Sequence, residues 1–181
     1  MEYKVLVNKH DFEDLLTMMG QSFKYYDQTN YYYDFDNTLQ RCGLSLRIRH
    51  IENEDRFVAT LKEDLIAGRL EHEFETSGKE ITDLPEKIIE ILNKYEIEVS
   101  KLRFVGKLNT KRHEFEMDGC VICFDLNTYL ENVDYEIECE AETLEKAKEV
   151  LDNLLDRYHI EYSESKKGKQ RRAKEAWREL L

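Results

Sequence analysis

The chain has 181 residues, 41% of them hydrophobic and 11% aromatic, which excludes disorder and gives enough material for a substantial core in one domain. One proline and seven glycines leave no room for a flexible linker, and no apolar run reaches membrane-spanning length. The net charge of −12 argues against a general nucleic-acid binder, although seven Lys/Arg against four Glu make residues 161–181 locally basic. With no signal-peptide pattern after Met1, the sequence reads as cytoplasmic.

In chain order, Glu2 to Val7 reads as a strand. Asn8 then caps a helix whose stripe is Phe12, Leu15, Leu16 and Met19, ending at Gly20. Thr29 to Asp34 is a tyrosine-rich strand, and Asn37 to Gly43 a connection. In Leu44-Ser45-Leu46-Arg47-Ile48-Arg49 apolar residues alternate with Ser45, Arg47 and Arg49, so the period of two puts both arginines on one face. A turn at Asn53-Glu54-Asp55 leads to Phe57–Lys62, where Lys62 lies opposite Phe57 and Leu61. After a connection at Ala67-Gly68, residues 69–75 put Arg69, Glu71, Glu73 and Glu75 on one side and Leu70, His72 and Phe74 on the other.

Thr82 or Asp83 is read as the cap of a second helix with Pro85 in its first turn and Ile88, Ile91, Leu92 and Tyr95 at helical spacing. Strands resume at Lys101–Lys107, Lys111–Met117, Cys120–Leu126 and Tyr135–Ala141, with Asp118-Gly119 as a two-residue hairpin. Thr143 opens a helix carrying Ala147, Leu151, Leu154, Leu155 and Tyr158. Ser165 precedes a basic final helix whose stripe is Ala173, Ala176, Trp177 and Leu180. This α+β pattern predicts about eight antiparallel strands, enough to close into a barrel with helices packed outside.

The Cys120-x-x-Cys123 pair invites a metal or redox reading. A strand places positions three apart on opposite faces, and there is no second such pair, so the cysteines read as reduced structural thiols. Tyr25, Tyr26, Tyr31, Tyr32 and Tyr33 read as strand packing rather than as a base-stacking platform.

The sorting of charge is the functional signal. Glu2 with Lys4, the segment Arg112-His113-Glu114-Phe115-Glu116, and Glu136-Ile137-Glu138-Cys139-Glu140 repeat the pattern of one ionic face per strand. An ordinary sheet would make that face the wet one, held by weak cross-strand ion pairs. In a closed barrel it would line the lumen. There, carboxylates from neighbouring strands converge on a hard cation, while Lys and Arg neutralise phosphate oxygens. These are the parts that phosphoryl transfer needs.

The residues resemble the CYTH, or triphosphate tunnel metalloenzyme, superfamily, and in particular the small stand-alone CYTH proteins of Gram-positive bacteria. The resemblance rests on Glu2-Tyr3-Lys4, Gln28-Thr29-Asn30-Tyr31-Tyr32, Gly43 to Arg49, Thr60-Leu61-Lys62, Arg69 to Glu73, Asp125, Glu136-Ile137-Glu138, and Ser165-Lys166 with Arg172-Ala173. It spans nearly the whole chain and implies one domain over residues 1–181, with an eight-stranded barrel around a charged tunnel. Members hydrolyse inorganic or thiamine triphosphate, act on RNA 5′ ends, or cyclise ATP, using Mg²⁺ or Mn²⁺.

The resemblance further implies that Lys4, Arg47, Arg49, Lys62, Arg69 and Arg112 grip triphosphate, joined by Lys166 and Arg172 from the last helix. Glu2, Glu73, Glu136 and Glu138 would hold metal. Glu2 and Lys4 would take part in catalysis, with Glu71 in support. The partner would be a triphosphate-containing small molecule, not a membrane or long nucleic acid, and a homodimer is compatible with the sequence. The family's opening motif is Glu-x-Glu-x-Lys, and its first glutamate would fall before Met1 here. That departure keeps a non-catalytic polyphosphate or nucleotide binder as an alternative, with adenylate cyclase as another.

Overall fold

The computed structural model describes residues 1–66 and 68–179. In chain order the elements are β1 (Glu2–Val7), α1 (Lys9–Met19), β2 (Lys24–Asp34), α2 (Thr38–Arg41), β3 (Leu44–Ile51), β4 (Arg56–Leu65), β5 (Gly68–Thr76), α3 (Glu86–Lys94), β6 (Arg103–Met117), β7 (Cys120–Tyr129), β8 (Asn132–Glu140), α4 (Leu144–Arg157), β9 (Tyr162–Glu164) and α5 (Lys169–Arg178). The strand order is β5-β4-β3-β2-β6-β7-β8-β1-β9. The ladders from β5 to β2 and from β6 to β9 are antiparallel throughout. The α+β class and the antiparallel sheet are as read from the sequence. Among the described residues the strand count rises to nine, and no ladder between β5 and β9 closes the sheet.

The chain resolves into two compact units, residues 1–27 with 109–171 and residues 28–108 with 172–181. The long strands β2 and β6 each run through both. In the first unit, Phe12 and Leu15 of α1 and Leu151, Leu154 and Leu155 of α4 pack on Val5, Ile122, Phe124 and Ile137. In the second, Leu39 of α2 and Ile88 and Leu92 of α3 pack on Leu46, Ile48, Ala59 and Leu61. Each fully buried Leu or Ile contributes roughly 1.5–3 kcal/mol by leaving water. Because side chains alternate, burying Leu44, Leu46 and Ile48 forces Ser45, Arg47 and Arg49 onto the other face. The charged faces are thus a consequence of the two cores.

Local chemistry explains most element ends. Asn8 Oδ1 accepts from the Asp11 N–H at 2.9 Å, and Thr143 Oγ1 from the Lys146 N–H at 3.1 Å, so both caps are as read. Asp118 and Gly119 have φ of 51° and 73°, the left-handed pair that a two-residue hairpin requires. Pro85, by contrast, stands at the N-cap of α3 rather than in its first turn. The residue before a proline is sterically kept extended, and Leu84 accordingly has ψ of 132°. Asp83 instead closes a single 3₁₀ turn, accepting from the Glu80 N–H at 2.9 Å.

Other boundaries shift too. The connection after β2 contains the one-turn helix α2, whose Leu39 N–H donates to Asp34 Oδ1 at 3.0 Å, a cap five residues away. The separate strands read at Lys101–Lys107 and Lys111–Met117 are one strand, β6, while Lys101 ends a 3₁₀ turn. Asn109 and Thr110 do not break it. Thr110 Oγ1 donates to Asn127 Oδ1 at 2.7 Å, and Asn109 Nδ2 to Asp27 Oδ1 at 2.8 Å. Tyr158 is 36% exposed at the C-cap of α4 and lies outside its stripe. Leu180 lies outside the described residues. No helix among the described residues is long and apolar enough to cross a membrane.

Candidate functional site

In the first unit, strand register builds a charged face row by row. Arg112 of β6 is opposite Asp125 of β7, which is opposite Glu136 of β8. One step along, Cys123 is opposite Glu138, which is opposite Lys4 of β1. A further step aligns Val121, Glu140 and Glu2. Cys120, on the opposite face of β7, turns into the core beside Ile122 and Phe124. Cys120 and Cys123 therefore do point to opposite sides, and all four cysteines are free thiols.

Asp125 and Glu136 are fully buried, and the Glu138 side chain is 2% exposed. Three buried carboxylates would cost several kcal/mol each without partners. The partners are specific. Arg112 forks onto Asp125 with two bonds of 2.7 Å and reaches Glu138 Oε2 at 2.6 Å. Lys4 Nζ lies 2.8 Å from Glu2 Oε1 and 3.4 Å from Glu138 Oε1. Ser165 Oγ donates to Glu136 Oε2 at 2.9 Å, and the Ser165 N–H to the Lys4 carbonyl at 3.1 Å.

Lys169, the first residue of α5, completes the cluster. Its Nζ donates to Asp125 Oδ2 and to Glu138 Oε1, the latter at 2.9 Å, and lies 3.6 Å from Glu136 Oε1. Burial pushes the Glu138 carboxyl up, but Lys169, Arg112 and Lys4 outweigh it and hold the group well below the usual carboxylate range. Burial likewise works against the Lys4 and Arg112 cations, and Glu138, with Glu2 and Asp125 respectively, raises both.

The second unit carries a differently balanced face. Ser45, Lys62 and Glu71 form one row across β3, β4 and β5, and Tyr32, Arg47, Thr60 and Glu73 the next across β2 to β5. Lys62 Nζ is 2.6 Å from Glu71 Oε1. Arg47 Nη2 is 3.4 Å from Glu73 Oε1, which also accepts from Thr60 Oγ1 at 2.9 Å. Arg49 Nε donates to Asn30 Oδ1 at 2.9 Å. The Arg47 Nε is buried without a hydrogen-bond partner among the described residues.

Burial, and then the neighbouring Arg47, push the Lys62 ammonium down despite its carboxylate partner. Burial raises Glu71, yet Lys62 and Arg47 hold it low overall. For Lys62 burial leads and Arg47 adds to it, whereas for Glu71 the neighbouring cations outweigh burial.

Arg69, two residues from Glu71 on β5, pairs with Asp64 at 2.6 Å with both side chains 56% exposed, and its charge acts on Lys62 and Glu71. Lys166 is exposed just before α5, and Arg172 is half-buried within it. Glu73 sits among the cations of the second unit. Among the described residues, the carboxylate groups able to share an ion are Glu2 with Glu138 and Glu140, and Asp125 with Glu136 and Glu138, their ligand oxygens within 4.8 Å of one another. The sequence reading missed the roles of Glu140 and Lys169, and quoted Asp125 without giving it one. Register supplies the signal for Asp125 and Glu140. Nothing local distinguishes Lys169 from the other six basic residues of the tail.

The donor set fits a hard divalent cation. It is all carboxylate oxygen, with no thiolate or imidazole, and the Lys169 ammonium already stands as a cation among three of the carboxylates.

Comparison with known proteins agrees with this architecture. The CYTH domain profile matches residues 1–172. A Bacillus subtilis (strain 168) protein named "Putative triphosphatase YjbK" is 32% identical over 174 residues, covering 92% of this chain and 90% of that protein. A crystal structure from Bacillus halodurans, named a "putative adenylate cyclase", is 29% identical with a TM-score of 0.79 over 94% of this chain and 95% of its own. A Hippeastrum protein named an adenylyl cyclase, for which a dominant triphosphatase activity is described, shares the fold. Its TM-score is 0.74 at 19% identity, covering 99% of this chain and 95% of its own. The chain belongs to the CYTH domain family.

Proposed function

We propose that this chain is a Mg²⁺- or Mn²⁺-dependent triphosphatase acting first on inorganic triphosphate, with nucleoside and thiamine triphosphates as alternative substrates. The observation that carries the reading is the set of cations, Arg47, Arg49 and Lys62, gathered on one face of β3 and β4. These side chains would hold phosphate oxygens, Arg47 and Arg49 through their planar donor forks. Lys4 and Arg112 would add further neutralising charge.

Asp125, Glu136 and Glu138 would hold the ion, with Glu2 and Glu140 beside Glu138. A bound divalent ion there supplies charge neutralisation for the phosphoryl group and lowers the cost of deprotonating the attacking water. The buried arginine and lysine partners hold the Glu138 carboxyl well below the usual carboxylate range, so that it is ready as a ligand at neutral pH. The family relatives named as triphosphatases support hydrolysis.

The test is phosphate release from tripolyphosphate with and without Mg²⁺ or Mn²⁺. Metal-dependent release that is abolished by Glu136→Gln with Glu138→Gln is the expected result. Absence of release overturns the hydrolase reading, and tight triphosphate binding in that case makes the chain a binder. A cyclase reading is favoured by the name of the Bacillus halodurans relative. Cyclic AMP formed from ATP in place of phosphate release decides for it.

A further inference from the structure

We propose that Lys169 is an exchangeable internal counter-ion: its ammonium takes the place of a divalent cation among Asp125, Glu136 and Glu138 and must withdraw before such an ion is held there. This inference rests on the metal-site reading above.

Three observations set Lys169 apart from the other cations. Its Nζ makes contacts with all three carboxylates of one ion-binding group. Arg112 and Lys4 sit on β6 and β1, opposite Asp125 and Glu138, so strand register holds them in place. Lys169 comes from the first position of α5, outside the sheet, and follows Gly168, where even an added Cβ would meet nothing within 4 Å. An ammonium is also a compact point charge that seeks the same oxygens as a hard metal ion. A divalent ion on the very oxygens that the Lys169 ammonium contacts would be strongly repelled by it in a buried site. With Arg112 fixed by its fork, Lys169 is the one free to leave, by rotating its flexible stem toward the exposed side of Lys167 and Gly168. The device places a positive charge among the three carboxylates until metal arrives.

The experiment measures Mn²⁺ binding by calorimetry on the full chain, without triphosphate and at fixed ionic strength. Lys169→Gln is expected to tighten Mn²⁺ by about tenfold or more, because it removes a competing positive charge. Lys169→Arg, which keeps the charge and adds a fork, is expected to bind no tighter than the parent. A folded Lys169→Gln protein with unchanged or weaker Mn²⁺ binding overturns the proposal.

Should that variant fail to fold, a crystal structure of the parent soaked with Mn²⁺ decides. An anomalous peak between the three carboxylates with Lys169 withdrawn supports exchange, and a peak with Lys169 still bonded to Asp125 and Glu138 overturns it. Glu138→Gln separates this idea from the function proposed above. If Mn²⁺ binding is lost in Glu138→Gln but not tightened by Lys169→Gln, only the exchange fails. If neither the parent nor Lys169→Gln binds Mn²⁺, both fall together.

Discussion

Arg47 and Arg69 are the same residue type on adjoining parts of one sheet, yet their surroundings set different expectations. The Arg47 side chain is 14% exposed, with a buried Nε that lacks a hydrogen-bond partner among the described residues, whereas Arg69 is 56% exposed beside Asp64. Arg47→Ala should weaken triphosphate binding by about 1–3 kcal/mol, as removal of a charge-assisted contact does. Arg69→Ala should change it by less than about 0.5 kcal/mol, the scale of an exposed ion pair. Calorimetric titration with tripolyphosphate compares them directly, and equal effects would place both on the outer surface.

Glu138 gives a pH signature. Its carboxyl lies lower in the folded protein than in the unfolded chain, so its stabilising contribution is complete above the ordinary value near ~4.3. It is lost as pH falls through the depressed folded value. Glu138→Gln should therefore cost about 3 kcal/mol at neutral pH, the scale of breaking a buried ion network. The gap between parent and variant should close as the solution is acidified below ~4. Denaturant melts across that range measure it, and a gap that does not move with pH removes the ionic explanation.

At the scale of elements, α5 is fastened to β6 by one aromatic contact. Trp177 Nε1 donates to the Lys107 carbonyl at 2.9 Å, and its ring meets Phe104 edge-on at 5.5 Å. Gly106, with φ of +150°, leaves room for it, since a Cβ there would come within 2.9 Å of the indole. Gly106→Ala should destabilise by about 1–3 kcal/mol through this overlap and the strained backbone. It should also shift the fluorescence of Trp177, the one tryptophan in the chain. In a Trp177→Ala background the cost of Gly106→Ala should shrink. An undiminished cost there would leave backbone strain as the whole cause.

The elements also show what was readable in advance. Strands β1, β3, β4, β5 and β7 and helices α1 and α4 announced themselves through period-two or helical spacing and local caps, because those signals depend on residues a few positions apart. The one-turn α2 did not, since its capping carboxylate, Asp34, lies in the preceding strand. Nor did β9, three residues long, whose pairing with β1 spans the chain from Val5–Val7 to Tyr162–Glu164.

For the whole molecule, charge is distributed rather than merely abundant. Residues 161–181 carry +3, from seven Lys/Arg and four Glu, so the remaining 160 carry −15 of the total −12. An acidic body repels a long polyanion, while a few clustered cations still attract a short one. Single-stranded RNA of some tens of nucleotides should show no saturable binding at ~150 mM salt, a concentration at which phosphate contacts are already weakened. Filter binding or fluorescence anisotropy reads this out, and salt-resistant RNA affinity would count against a small triphosphate as the partner.

By itself, the sequence determined the α+β class, the ionic face of each strand, and the family to which those faces belong, because alternation and motif order are properties of neighbours along the chain. It placed Arg47, Lys62, Glu136 and Glu138 on charged faces without saying which charges meet. Only the tertiary structure decided that. Register brought Arg112, Asp125 and Glu136 into one row, and a lysine from a helix about thirty residues beyond β8 came to rest among three buried carboxylates. The cause is long-range: burying those carboxylates demands cations, and which cations can reach them is fixed by how the chain returns to the sheet.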